Sequence, residues 1–230
     1  MSGFGRVPDM FPRLVSTLVT CLAFVVVACG DPQGTNRFEK EIVAYELADK
    51  TNPPPQGAIV FTGASGIRFW KTLAQDFPGL TVINRGFGGS QLADSIFFAD
   101  RIVIPYHPKA VVIQAGGNDI NAGKTPEQVL ADYQAWVAKV RAALPDVRLV
   151  YLGQGPSPAR WEQREKQQQA NQLIRDFIAK EKNMFFVDIW GACLGSDGQP
   201  RPEIYVADGL HPSAEQYQIR AKLIRPVLEQ

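Results

Sequence analysis

Apolar residues along this chain fall into two alternating rhythms. Short, nearly unbroken runs such as Ala58-Ile59-Val60-Phe61-Thr62, Leu80-Thr81-Val82-Ile83 and Ala110-Val111-Val112-Ile113-Gln114-Ala115 have the length and composition of strands covered on both faces. Between them lie longer segments in which apolar residues recur at helical spacing. The pattern predicts strands near 58–62, 80–84, 110–115, 147–153 and 184–188, and helices over 66–76, 91–102, 126–143, 160–181 and 213–228. The third of these helices has the clearest start, Thr125-Pro126-Glu127-Gln128, with Thr as N-cap and Pro in the first turn. Its apolar stripe is Val129, Tyr133, Val137, Val140 and Leu144. Such alternation argues for a single three-layer α/β/α sandwich around a central, mainly parallel five-stranded sheet.

The amino terminus follows a different pattern. Arg6 and Arg13 precede an apolar stretch from Leu14 to Ala28 that is short for a membrane span, so residues 1–28 are expected to be a signal peptide. The end of this stretch, Val26-Val27-Ala28-Cys29-Gly30, resembles the bacterial lipobox. That resemblance implies lipidation of Cys29 by acyl chains such as palmitate and tethering to the cell envelope, on its periplasmic or outer side. Gly30 after the Cys points, by analogy with diderm sorting rules, to the outer membrane. A polar tether then leads to apolar positions Phe38, Ile42, Val43, Tyr45 and Leu47, which predict a short helix over 37–49 ended by Thr51-Asn52-Pro53-Pro54-Pro55. The expected organisation is signal peptide 1–28, lipidated Cys, tether and short helix 29–56, and one domain over 57–230.

Composition narrows the function classes. A formal charge of +1 with interspersed acids and bases gives no reason to expect a nucleic-acid partner. Of three Cys, only Cys193 remains once Cys21 is removed and Cys29 is lipidated, so no intramolecular disulfide is expected and Cys193 is read as a buried filler. With two His and no His-x-x-x-His or Cys-x-x-Cys cluster, neither a metal nor a cofactor is implied. Gly117 to Thr125 misses the phosphate-binding loop by one residue, and Gly86-x-Gly88 lacks the third Gly of a dinucleotide fingerprint. Ile67 stands where a Gly-x-Ser-x-Gly elbow would need its final Gly.

With so few histidines, the sequence Asp208-Gly209-Leu210-His211-Pro212 carries the chemistry. An Asp three residues before a His, in a Gly-containing turn, can reach one ring nitrogen and leave the other free as a base. His107, before the third strand, falls at the wrong end of the sheet and is read as structural. The best-placed nucleophile is Ser65, where a buried strand runs into Gly63-Ala64-Ser65-Gly66; helix capping is the alternative role. Asn84-Arg85-Gly86-Phe87-Gly88-Gly89-Ser90 and Gly116-Gly117-Asn118-Asp119 also end buried-looking strands, and offer the backbone N–H groups and uncharged amide of an oxyanion hole. Asp119 is expected to bond loop amides and hold Asn118 in place. Gln91, Arg160 and Trp161 are possible substrate contacts, and the loop 191–209 is expected to form part of the pocket wall.

This ordered set resembles the SGNH (GDSL-like) hydrolase family of serine esterases and lipases, whose four named residues fall here on Ser65, Gly89, Asn118 and His211. The resemblance runs from about Phe61 to Pro212 and departs at one place, since the family's Gly-Asp-Ser is here Gly63-Ala64-Ser65. It implies a catalytic set of Ser65, Asp208 and His211, with an oxyanion hole from Ser65, Gly89 and Asn118. It also implies a small ester substrate: a short acyl ester, an acetylated sugar or a lysophospholipid. The competing class is an inactive envelope module on the same fold that binds carbohydrate or lipid. Oligomeric state is left open by the sequence.

Overall fold

The computed structural model of the chain describes residues 35–230, with positions 1, 3 and 5 besides. The predicted signal peptide, Cys29 and most of the tether lie outside the described residues. The unit Asp31–Gln230 carries the fold. Its strands are β1 (Ile59–Gly63), β2 (Val82–Gly86), β3 (Ala110–Gln114), β4 (Arg148–Leu152) and β5 (Met184–Val187). They form one parallel sheet in the order β2-β1-β3-β4-β5. The three-layer α/β/α architecture with a five-stranded parallel sheet is thus the observed fold.

Alternate residues of each strand feed two separate cores. Val60, Val111, Ile113, Leu149 and Tyr151 pack beneath α1 (Glu39–Thr51), α4 (Leu92–Ile102), α6 (Pro126–Ala143) and α7 (Arg164–Ile178). Ile59, Phe61, Val112, Val150 and Leu152 face α2 (Ser65–Arg68), α3 (Leu73–Asp76) and α8 (Ala214–Leu228). Each aliphatic or Phe side chain fully buried in this way contributes about 1.5–3 kcal/mol. The stripe of α6 is as read, with Val129, Tyr133 and Val140 fully covered and Trp136 added to it. In α1, Ile42 is buried, but Leu47, predicted to pack, faces solvent.

Three elements differ from the sequence reading, each for a visible reason. The second strand runs over Val82–Gly86, two residues later than predicted, because Arg85 is accommodated by an ion pair with Asp49 and a hydrogen bond to Tyr106. The helix predicted over 66–76 is interrupted between Arg68 and Leu73. Asn84 Nδ2 donates to the Ile67 carbonyl at 2.6 Å and to the Trp70 carbonyl at 3.4 Å, occupying acceptors that a continuous helix would use. The helix predicted over 160–181 begins as a 3₁₀ segment, Pro158–Gln163, with Arg160 outside helical geometry, and becomes α-helical only at Arg164. A further short helix, α5 (Gly117–Asn121), stands where a loop was expected.

Candidate active site

The carboxyl ends of β1, β2, β3 and β4 converge on one region, the usual place for a ligand crevice in an open α/β sheet. At the end of β1 the chain turns sharply through Gly63, at φ 115°. A side chain there would lie 2.1 Å from the Gln114 carbonyl oxygen, so only Gly permits the turn. Ala64 N–H then donates to that carbonyl at 3.0 Å, and Ser65 opens α2. Asn84 clamps the turn from β2, accepting from Gly86 N–H at 2.9 Å while its amide holds the Ile67 carbonyl.

The loop between β5 and α8 delivers His211. Asp208 Oδ1 accepts from the backbone N–H groups of Leu210 and His211 at 2.8 and 2.9 Å, which shapes the turn. Asp208 Oδ2 lies 2.5 Å from His211 Nδ1, and His211 Nε2 lies 2.9 Å from Ser65 Oγ. Because the carboxylate is an acceptor, Nδ1 carries the proton and Nε2 accepts from the Ser65 hydroxyl. The bonds from the His211 ring and from the two backbone N–H groups hold the Asp208 carboxyl down at about 2. Phe69 meets the imidazole edge-on, with ring centroids 4.9 Å apart.

Asn118 in α5 donates through Nδ2 to the Ser90 carbonyl at 2.9 Å, which ties the third loop to the second. Its Oδ1 accepts from Arg160 Nη2 at 3.0 Å, so the amide has one orientation with an N–H left over. Asp119 is fully buried and accepts from Leu92 N–H and from Lys124 Nζ, the latter at 2.8 Å. Burial raises its pKa against the pull of Lys124. Gly89, one residue before Ser90, is left-handed at φ 80°.

A cavity of about 80 Å³ opens at Ser65, and Asn118, Arg160 and His211 line it. Gln91 does not; it is the N-cap of α4, with its own N–H bonded to Asp94. Trp161 is also outside the lining and carries the Arg164 guanidinium over its ring. Of the loop 191–209, Tyr205 alone reaches the cavity. Gln154, from the loop that the sequence places at this end of the sheet, lines it too, whereas the sequence reading missed Gln114 and Arg220, both also in the lining. A signal for Arg220 was present: Gln216, Arg220, Ile224 and Leu228 recur every four residues, on one helical stripe. His107 is exposed and precedes β3, away from the cavity. Cys193 is buried, which raises its thiol pKa. Among the described residues no group of three or more His, Cys, Asp or Glu side chains is arranged to hold a metal ion.

Residues 48–219 match the GDSL-like Lipase/Acylhydrolase family. The chain is similar to human platelet-activating factor acetylhydrolase IB subunit alpha1, at 31% identity over 180 residues covering 73% of each chain. Among solved structures it is similar to a GDSL-like lipase from Bacteroides thetaiotaomicron, with TM-score 0.67 and 22% identity over 85% of this chain and 97% of that one. An acetyl-xylooligosaccharide esterase from Geobacillus shares the fold with TM-score 0.60 and 19% identity, over 76% of this chain and 95% of that one.

Proposed function

This chain belongs to the GDSL-like lipase/acylhydrolase family, and on that premise we propose that it is a serine esterase that works through a Ser65 acyl-enzyme. The observation that carries the reading is the unbroken chain of hydrogen bonds from Ser65 Oγ through His211 to Asp208, opening on a cavity that Asn118 also lines. In the first half-reaction, His211 Nε2 takes the hydroxyl proton as Ser65 Oγ bonds to the ester carbonyl carbon. The resulting oxyanion is held by the Asn118 amide and the N–H groups of Ser65 and Gly89. Collapse breaks the bond to the alkoxy oxygen, which leaves with the proton from His211. Water, deprotonated by the same nitrogen, then attacks the acyl-enzyme and frees the acid. Asp208 keeps the imidazole in the required tautomer and stabilises its charged form.

The proposed substrate is a small ester, with short acyl esters and acetylated sugars favoured over a lysophospholipid. Two of the relatives are named for acetyl groups, and the cavity beside Ser65 is small. The enzyme is further proposed to be a lipoprotein of the bacterial cell envelope, anchored through Cys29 and directed toward the outer membrane, on the strength of Val26-Val27-Ala28-Cys29-Gly30. Loss of metabolic labelling by an alkynyl fatty acid in Cys29→Ser is the expected result for the anchor.

The test of the activity is mass spectrometry after fluorophosphonate treatment, alongside a p-nitrophenyl ester series and Ser65→Ala. One adduct on Ser65 is expected, with turnover falling by about 10⁴- to 10⁶-fold in the variant. A folded protein that gives neither adduct nor turnover would overturn the reading in favour of a binding module.

A further inference from the structure

The cavity at Ser65 has an electrostatic character that ester hydrolysis by itself does not call for. Two guanidiniums, Arg160 and Arg220, line it, and among the described residues no Asp or Glu does. Arg220 projects from the middle of α8 and is only 6% exposed. Its Nη1 donates to Gln114 Oε1 at 2.8 Å and to the Gly66 carbonyl at 3.4 Å, while its Nε is buried without a partner. Burial pulls both guanidiniums below their ordinary pKa, and the groups that oppose this at Arg220 are Tyr217, Cys193 and Tyr205, none of them a carboxylate. A cation withdrawn from water without a counter-charge is strongly disfavoured, so its retention calls for an anion that arrives from elsewhere.

The rest of the wall agrees. Gln154, Gln167 and Ser157 are all buried and line the same cavity, so its floor is polar rather than apolar. Ala64 also lines it, at the position where the family signature carries an acid. Gly66 and Gly117 leave no bulk over this polar floor, since a Cβ would fall 2.6 Å from Gln114 Oε1 at the first and 2.7 Å from Gln154 Oε1 at the second. An aliphatic acyl chain would strip water from these amides and guanidiniums and return nothing. A carboxylate would pair with the guanidiniums through charge-assisted hydrogen bonds.

We propose that this cavity receives a carboxylate carried by the substrate, so that the preferred esters bear a negative charge a few bonds from the reacting carbonyl. This rests on the esterase reading and deepens it. The charge can lie on the acyl side, as in a dicarboxylic half-ester, or on the alcohol side, as in an O-acetylated hydroxy acid; the two sources share one chemistry and are separated by experiment.

Hydrolysis by the full chain is followed by pH-stat for two pairs of near-isosteric esters. Monoethyl succinate is set against ethyl 4-methylpentanoate, and acetoxyacetate against isobutyl acetate. In at least one pair the anionic ester is expected to have kcat/KM about 10- to 100-fold above its neutral partner, the range of a charge-assisted hydrogen bond. Gln114→Glu places a carboxylate oxygen against Arg220 Nη1, and the ratio in that pair should fall toward one whatever happens to the neutral rate. A binding arm uses Ser65→Ala and titration calorimetry with succinate and succinamide; succinate alone should bind, and the added Gln114→Glu change should remove it. Equal kcat/KM within both pairs, with turnover intact, would overturn the anion site and leave the esterase standing. If no ester turns over and Ser65 takes no fluorophosphonate, the esterase reading fails, and equal binding or non-binding of succinate and succinamide would then overturn the anion site as well.

Discussion

Asp119 and Asp208 each lie within three residues of a group proposed to touch substrate, yet Asp119 is fully buried and the Asp208 side chain is 47% exposed. Asp119 sits under the first turn of α4, held by Leu92 N–H and Lys124, and burial raises its pKa. Asp208 accepts from two backbone N–H groups and the His211 ring, and its pKa drops to about 2. The difference matches the role proposed for each. A carboxylate that steadies an imidazolium has to stay charged, and hydrogen bonds at the protein surface achieve that without a desolvation cost. A carboxylate that braces a loop needs only to remain a fixed acceptor.

The largest expected effect that sharpens this contrast is on turnover. Asp208→Asn keeps the turn but lets the amide donate to Nδ1, favouring the wrong tautomer, and kcat should fall by about 10⁴-fold. An Asp208→Asn enzyme within tenfold of the parent would break the comparison. Next is Asn118→Ala, which removes the proposed oxyanion donor and should lower kcat about 10²- to 10³-fold with little change in KM. Asp119→Asn acts on that donor only through the loop it braces, so a smaller loss in kcat, about tenfold, is expected.

The smallest effect is on stability, and there the two acids should differ in sign. A lowered native pKa means that the stability gained from Asp208 is present above the ordinary carboxylate range and is lost as pH falls from about 4 toward about 2. A raised native pKa means the opposite for Asp119, whose contribution becomes less favourable as pH rises above the ordinary value of 3.8. Denaturant midpoints of parent, Asp208→Asn and Asp119→Asn, compared between pH 2.5 and 6 (roughly the span in which carboxylates titrate), should therefore diverge from the parent with opposite slopes.

Local sequence made some parts of this site legible and hid others. Gly63-Ala64-Ser65 and Asp208-Gly209-Leu210-His211 announce themselves because their geometry is set within a few residues, by a turn only Gly can make and by an Asp that bonds the next backbone N–H groups. The interrupted helix after Ser65 was illegible because its breaker, Asn84, belongs to another strand. The late end of β2 was hidden for a similar reason, as Arg85 reads as a loop residue until Asp49 and Tyr106 are brought to it. Gln91 and Trp161 looked like substrate contacts from their nearness to motifs. The fold spends one on a helix cap and sets the other against Arg164. Arg220 shows the converse: a charged residue on a stripe shared with Ile224 and Leu228 signals an interior polar group, even when no neighbouring motif draws attention to it.

The position of β1 carries a last consequence, for the order in which the machinery fails. Ser65 grows from a strand paired on both sides, with β2 and β3, whereas His211 hangs from the long connection after β5, at the sheet's edge. Local opening draws first on edges and loops. Heat should therefore detach the proposed base while the proposed nucleophile still stands on an intact sheet, and fluorophosphonate reactivity should vanish several degrees before the helical signal does. Through that interval the protein would be a folded but unarmed serine, recoverable by cooling alone.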